Sequence, residues 1–171
     1  VGSEMCIRDS SNTITIKAEK DTTANVTIKD TNIRTDSAAI KTEGEGNVNL
    51  NVEGTNTVSS GDKHAGVEKS NGGKLTIGSE SGEGKLTANG GHGGAGIGGG
   101  YKGSGSDVTI SKDSRVEATG GDPCLLGGYG AAIGGGGYNT DTGNQVDGSE
   151  IEPDTSGPVS YTHLTLPTTS R

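Results

Sequence analysis

Few side chains in this sequence could do chemistry, and most of them sit beside glycine runs. Tyr101 follows Gly98-Gly99-Gly100, Tyr138 follows Gly134-Gly135-Gly136-Gly137, and Tyr129 lies nearby. An exposed aromatic ring stacks on the apolar face of a sugar, so these three are candidate glycan contacts. Covering a bare glycine turn is the competing role. Lys85 and Arg115 recur at one place in the repeat described below, where two stacked cations need an anion between them. Glu117 or an acidic sugar could supply it, which makes Lys85 and Arg115 further glycan candidates. Asp141, Asp147, Glu150, Glu152 and Asp154 crowd residues 141–154 with hard oxygen donors. Asp141, Asp147 and Glu150 form the candidate Ca²⁺ set, with a solvated acidic loop as the alternative.

Other signals fail their confirming context. Gly94-x-Gly96-x-x-Gly99 matches a dinucleotide fingerprint by letter, but no βαβ unit surrounds it. Gly84-Lys85 lacks the flanking Gly and Ser/Thr of a phosphate-binding loop. Gly103-Ser104-Gly105-Ser106-Asp107 resembles half a calcium-binding nonapeptide, a motif that works in tandem copies and is single here. His64 and His92 have no Cys or second His at metal-ligand spacing and read as loop residues. Cys124 has no partner for a disulfide or a triad. No residue is assigned a catalytic role, and apart from Ca²⁺ no cofactor is expected.

The elements that position these residues must be thin. The chain has 171 residues, 33 of them Gly, with no Phe or Trp and 4 Tyr. Hydrophobic residues make up 26 %, against about 45–50 % in an ordinary soluble domain. That argues against a helical bundle or a doubly wound α/β domain. No run approaches the ~18 apolar residues of a membrane span, so no membrane insertion is expected. The net charge of −8 disfavours nucleic acid and anionic membranes as partners.

Three short motifs recur in fixed order four times. The first alternates polar and apolar residues: Asn25-Val26-Thr27-Ile28, Asn47-Val48-Asn49-Leu50, Lys74-Leu75-Thr76-Ile77 and Asp107-Val108-Thr109-Ile110. The second centres on Ile33, Val58, Leu86 and Val116. The third is Ala38-Ala39-Ile40, Ala65-Gly66-Val67, Ala95-Gly96-Ile97 and Ala131-Ala132-Ile133. Thr13-Ile14-Thr15-Ile16 reads as an earlier half-copy of the first motif. Period-2 alternation predicts strands, and the Gly/Ser/Asn-rich segments between them predict turns. Three strands per repeat describe one rung of a right-handed parallel β-helix, whose rungs bury their apolar faces by stacking. We expect an all-β solenoid of about four rungs, starting near residues 25, 47, 74 and 107, with 139–157 as an acidic loop or partial rung. The expected inward columns are Val26/Val48/Leu75/Val108, Ile28/Leu50/Ile77/Ile110, Ile33/Val58/Leu86/Val116 and Ile40/Val67/Ile97/Ile133. Ala39, Gly66, Gly96 and Ala132 are expected to point outward, either under the glycine loops or as a flat platform. A disordered chain and a hairpin sandwich are the competing readings; disorder offers no reason for sixteen aliphatic residues in register. An ice-binding face would need a regular Thr-x-Thr array, and only Thr13-x-Thr15 fits.

The two ends read differently from the middle. Glu4–Ser10 can be back-translated as GAG ATG TGT ATA AGA GAC AGN, and Pro158–Leu164 as CCT GTC TCT TAT ACA CAT CTN. From AG to AG the first is the reverse complement of the second. That inverted repeat is identical to a transposon end used in sequencing libraries. Residues 1–10 and 158–171 are therefore expected to be translated adapter, set aside from fold reasoning. Met5 and Cys6 fall inside it, so 11–157 is expected to be an internal fragment of a longer gene.

The segments Gly90–Gly100 and Gly130–Gly136, with strands such as Lys74–Ile77 and Asp107–Ile110, resemble glycine-rich repeats of large bacterial cell-surface proteins of the adhesin-like or carbohydrate-binding kind. The resemblance spans about residues 25–137 and defines no binding residue; the insertion Asp122–Tyr129 departs from it. It implies a secreted, cell-surface β-helix. The expected function is non-catalytic binding of polysaccharide or host glycan. The alternatives are a structural spacer without ligand, or a piece of a β-helix polysaccharide lyase. Uncapped rungs also predict end-to-end self-association.

Overall fold

Alternating apolar and polar residues make strands whose apolar side chains share one face. Three such strands per turn wind this chain into a parallel β-solenoid of about four turns. The structure, a computed structural model, describes residues 12–111, 113–123, 128–139 and 145–146, with side chains described through residue 137. The adapter-like ends, Cys124 and the acidic residues Asp141, Asp147 and Glu150 lie outside the described residues.

The first turn runs through β1 (Ile14–Ala18), β2 (Thr23–Lys29) and β3 (Asn32–Arg34). The second comprises β4 (Ile40–Gly44), β5 (Asn47–Glu53) and β6 (Thr55–Ser59). The third comprises β7 (Val67–Lys69), β8 (Leu75–Gly78) and β9 (Lys85–Asn89). The fourth comprises β10 (Ile97–Gly98), β11 (Val108–Ile110) and β12 (Arg115–Thr119). β13 (Ile133–Gly134) opens a further pass, followed by an antiparallel pair of β14 (Tyr138–Asn139) and β15 (Gln145–Val146). Sheet A stacks β1-β4-β7-β10-β13, sheet B β2-β5-β8-β11, and sheet C β3-β6-β9-β12. Pairing within all three is parallel, which excludes a hairpin sandwich.

All sixteen aliphatic positions belong to the core or pack against it. Burial is complete in the middle turns and falls off at the ends, where Ile14, Ala24 and Val26, and at the other end Val108, Ile110, Val116 and Ile133, are partly buried.

Register differs from expectation in two columns, each by two residues. In sheet B, Ala24 rather than Val26 pairs with Val48, Val26 pairs with Leu50, and Ile28 pairs with Val52. The first rung therefore starts near Thr23. In sheet C, Ile33 pairs with Val58, but Val58 pairs with Ala88, and Asn56 takes the place beside Leu86. A two-residue slip keeps every side chain on its own face, so period-2 patterning cannot detect it. Alanine and asparagine at inward positions hid the true alignment. The column Ile40/Val67/Ile97/Ile133 aligns as expected. Ile14 stacks on Ile40, so the Thr13–Ile16 half-copy belongs to the third motif rather than the first.

The expected outward row Ala39/Gly66/Gly96/Ala132 is also corrected. Ala39 is fully buried in the core. A Cβ on Gly66 would meet the Asn89 backbone, and one on Gly96 the Thr119 backbone, so these residues close the inner corner between sheets C and A. The outward residue of sheet A is the next one along, in the column Lys41–Glu68–Gly98–Gly134.

Candidate functional site

Glycine stacking builds the corner that leads from sheet C into sheet A. A Cβ on Gly91 would overlap Gly61 O, and one on Gly121 would overlap Gly91 O. These turns lie directly over one another because no side chain separates them. The residues that follow, Asp62, His92 and Asp122, thus share one corner position on successive turns. His92 Nε2 lies 4.0 Å from Asp62 Oδ1, and Gly93 N–H donates to Asp122 O at 2.8 Å.

His64 joins the same corner. Its Nδ1 is 2.8 Å from Glu68 Oε2, which also accepts the Ala65 N–H at 3.3 Å. An ionised carboxylate only accepts, so Nδ1 carries the proton. Glu68 follows the inward Val67 and so faces out, yet it is only 8 % exposed. The 63–65 loop and Gly100 cover it; a Cβ on Gly100 would come within 2.7 Å of Glu68 Oε2.

Tyr101 lies over this cover. Its N–H donates to Lys63 O at 2.8 Å. Its ring packs on Gly93, with Cδ2 only 3.0 Å from where a Cβ would stand. Lys102 Nζ lies 5.4 Å from the ring centroid, within cation–π range. Gly137 N–H donates to Gly93 O at 2.9 Å, and Gly137 packs against the carbonyls of Gly128 and Tyr129. The backbone positions of Tyr101, Tyr129 and Tyr138 therefore converge on Gly93 and Gly137. Tyr129 is 41 % exposed, the large hydrophobic residue that stands out among the described side chains. The Gly98–Gly134 pairing, counted onward, sets Tyr101 opposite Gly137 and puts Tyr138 one residue further.

Lys85 and Arg115 are not part of this corner. They start β9 and β12 as direct register partners, some four residues before the corner, about 13 Å along a strand. Glu117 Oε1 lies 3.2 Å from Lys85 Nζ and 3.8 Å from Arg115. It supplies the anion that the stacked cations require. Because all three are partly exposed, replacing Glu117 by glutamine is expected to lower stability by less than about 1 kcal/mol. Thermal melts at low and high salt check this: the deficit should shrink as salt rises, and a deficit that grows with salt contradicts the ion-pair account.

Two other groups carry perturbed charge. The Ser81 hydroxyl and N–H, joined by the Glu80 N–H, hold the Glu53 carboxyl below its ordinary value. Burial lowers the Lys69 ammonium from its usual value, opposed by the charge of Asp107; its Nζ donates to Asn71 O at 2.8 Å. Among the described residues no group of three or more His, Cys, Asp and Glu is placed to hold a metal ion.

Lys63, Glu68 and Lys102 were not singled out by sequence. Their only sequence signals are local, the His64-x-x-x-Glu68 spacing and the Tyr101-Lys102 adjacency. Stacking of turns brings them together, and one turn's composition does not reveal that. Comparison with protein-family models, curated proteins and solved structures gave no match. What the chain shows is its class: a parallel β-solenoid with a polar, tyrosine-bearing corner.

Proposed function

We propose that this solenoid is a non-catalytic module that binds polysaccharide or glycan at the tyrosine corner, on a protein displayed at a bacterial surface. One observation carries the reading. Tyr129 stands exposed beside Tyr101, whose ring is held on Gly93. A rigid aromatic surface next to polar groups suits a sugar ring, which presents an apolar face and a hydroxyl edge.

The test is retention of the full chain on cross-linked dextran, cellulose and polygalacturonate. Tyr129→Ala and Tyr101→Ala are run beside it, with circular dichroism as the folding control. Tyr129 contributes contact without supporting the fold, so Tyr129→Ala is expected to weaken retention about tenfold, roughly 1.4 kcal/mol, with an unchanged melting temperature. A folded chain that no matrix retains removes the reading.

The spacer reading has its own support. Asn49 Nδ2 donates to Asn25 Oδ1 at 2.8 Å on the outer face of sheet B, and Glu117 neutralises Lys85 and Arg115. These outward groups are satisfied between rungs. Equal retention of wild type and both tyrosine variants favours the spacer.

A further inference from the structure

The backbone around Tyr101 carries a signal that the tyrosines do not. Five residues other than glycine have positive φ: Asp21, Asp30, Lys63, Lys102 and Asp107. Asparagine and aspartate tolerate this region through local hydrogen bonding; lysine has no such compensation. Elsewhere the chain meets positive φ with glycine, as at Gly44, Gly54, Gly82, Gly93, Gly98 and Gly134. Yet at φ 71 and φ 63 it keeps lysine. Both positions are exposed, and both touch Tyr101. Lys63 O accepts the Tyr101 N–H, and Lys102 is its chain neighbour, with Nζ 5.4 Å from the ring centroid. Glycine would fit either turn without strain, so the side chains there serve something other than the turn.

The surrounding charges make these lysines the cationic part of the corner. Its two nearest carboxylates are each engaged by a histidine: Glu68 by His64 at 2.8 Å and Asp62 by His92 at 4.0 Å. The net charge of −8 is spread over the whole chain. Beyond about 8 Å it is largely screened at physiological salt, so the local pair decides what docks.

We propose, resting on the glycan reading above, that Lys63 and Lys102 flank Tyr101 as an anion subsite. The ligand class is then an acidic polysaccharide, whose carboxylate or sulfate meets the lysines while its ring stacks on tyrosine. Lys85 and Arg115 do not form this subsite, because Glu117 already lies between them.

The test uses the full chain on polygalacturonate, dextran sulfate and neutral dextran, with the double variant Lys63→Gly/Lys102→Gly. Glycine removes the charges and relieves the left-handed backbone at once. The variant should therefore stay folded, melting within about 3 °C of wild type. Wild type is expected on the acidic matrices and not on neutral dextran. Affinity should fall about tenfold in the double variant, and also between about 0.1 M and 1 M NaCl, where the screening length drops from about 10 Å to 3 Å. Retention on only one acidic matrix assigns the anion as carboxylate or sulfate. Equal retention on neutral dextran, or retention unmoved by the double variant, overturns the subsite; the glycan reading then survives if Tyr129→Ala still abolishes binding. A folded chain retained nowhere overturns both.

Discussion

Replacing Asn56 by leucine is expected to destabilise the solenoid by about 2–4 kcal/mol. Asn56 is the one fully buried polar residue of sheet C among those described, in the inward position beside Leu86. Its Oδ1 accepts the Thr31 N–H at 3.0 Å, and its Nδ2 donates to Glu53 O at 2.9 Å and Lys85 O at 3.2 Å. One side chain thus ties three consecutive turns together. Leucine would bury more apolar surface, a gain of about 1.5–3 kcal/mol at most. It would leave the Thr31 N–H without this acceptor, in a residue only 6 % exposed, at about 1–3 kcal/mol. It would also take a donor from two carbonyls. Glu53 O keeps the Asp30 N–H at 3.3 Å, which softens that part. Urea titration of the full chain measures the difference, and a loss below about 1 kcal/mol contradicts the bridging role. Asn56→Asp sharpens the test. It keeps the acceptor for Thr31 but sets a carboxylate against two carbonyl oxygens. Its folded pKa is raised, so the neutral form is favoured. The deficit is therefore greatest above that pKa and shrinks as pH falls through it.

Gly98→Ala is expected to remove more than about 3 kcal/mol, with Gly82→Ala as its control at about 1–2 kcal/mol. Both glycines have positive φ, +130° and +74°, so both substitutions strain the backbone. They differ in their surroundings. A Cβ on Gly82 meets nothing within 4 Å, whereas one on Gly98 would overlap Gly134 O and reach Gly134 C at 3.0 Å. Gly134 is the register partner of Gly98 on the next turn, and backbone cannot swing aside as a flexible side chain can. The gap between the two variants therefore isolates rung-to-rung packing from torsional strain. Calorimetry should show Gly98→Ala melting well below Gly82→Ala. Equal melting temperatures would mean that β10 and β13 do not pack closely.

The contrast between these two glycines bears on how the glycine content should be read. Glycine in this chain does two separate jobs. Gly82 serves a turn, which composition suggests directly. Gly61, Gly91 and Gly121 let corners lie on one another without intervening atoms, and only the stacked arrangement reveals that. The tyrosines follow the same division. Glycine runs before Tyr101 and Tyr138 marked them from sequence, and the structure sets both backbone positions at the corner around Gly137. Lys63 and Lys102 carry no comparable mark, because their left-handed φ is invisible in the letters.

The sequence by itself determined the all-β solenoid. Period-2 alternation selects strands, three motifs in constant order set three sheets, and thin aliphatic rows can be buried only by stacking. It also determined which residues face inward, because that depends on parity alone. Register lay beyond it. A slip of two preserves parity, so Ala24 over Val26 and Asn56 over Val58 were settled by the fit of whole turns. The candidate site lay beyond it for a related reason. Lys63, Glu68, His92, Tyr101 and Tyr129 come from different corners and different turns. Their separation in space is set by loops of unequal length closing onto stacked glycines, a three-dimensional constraint with no counterpart in local pattern.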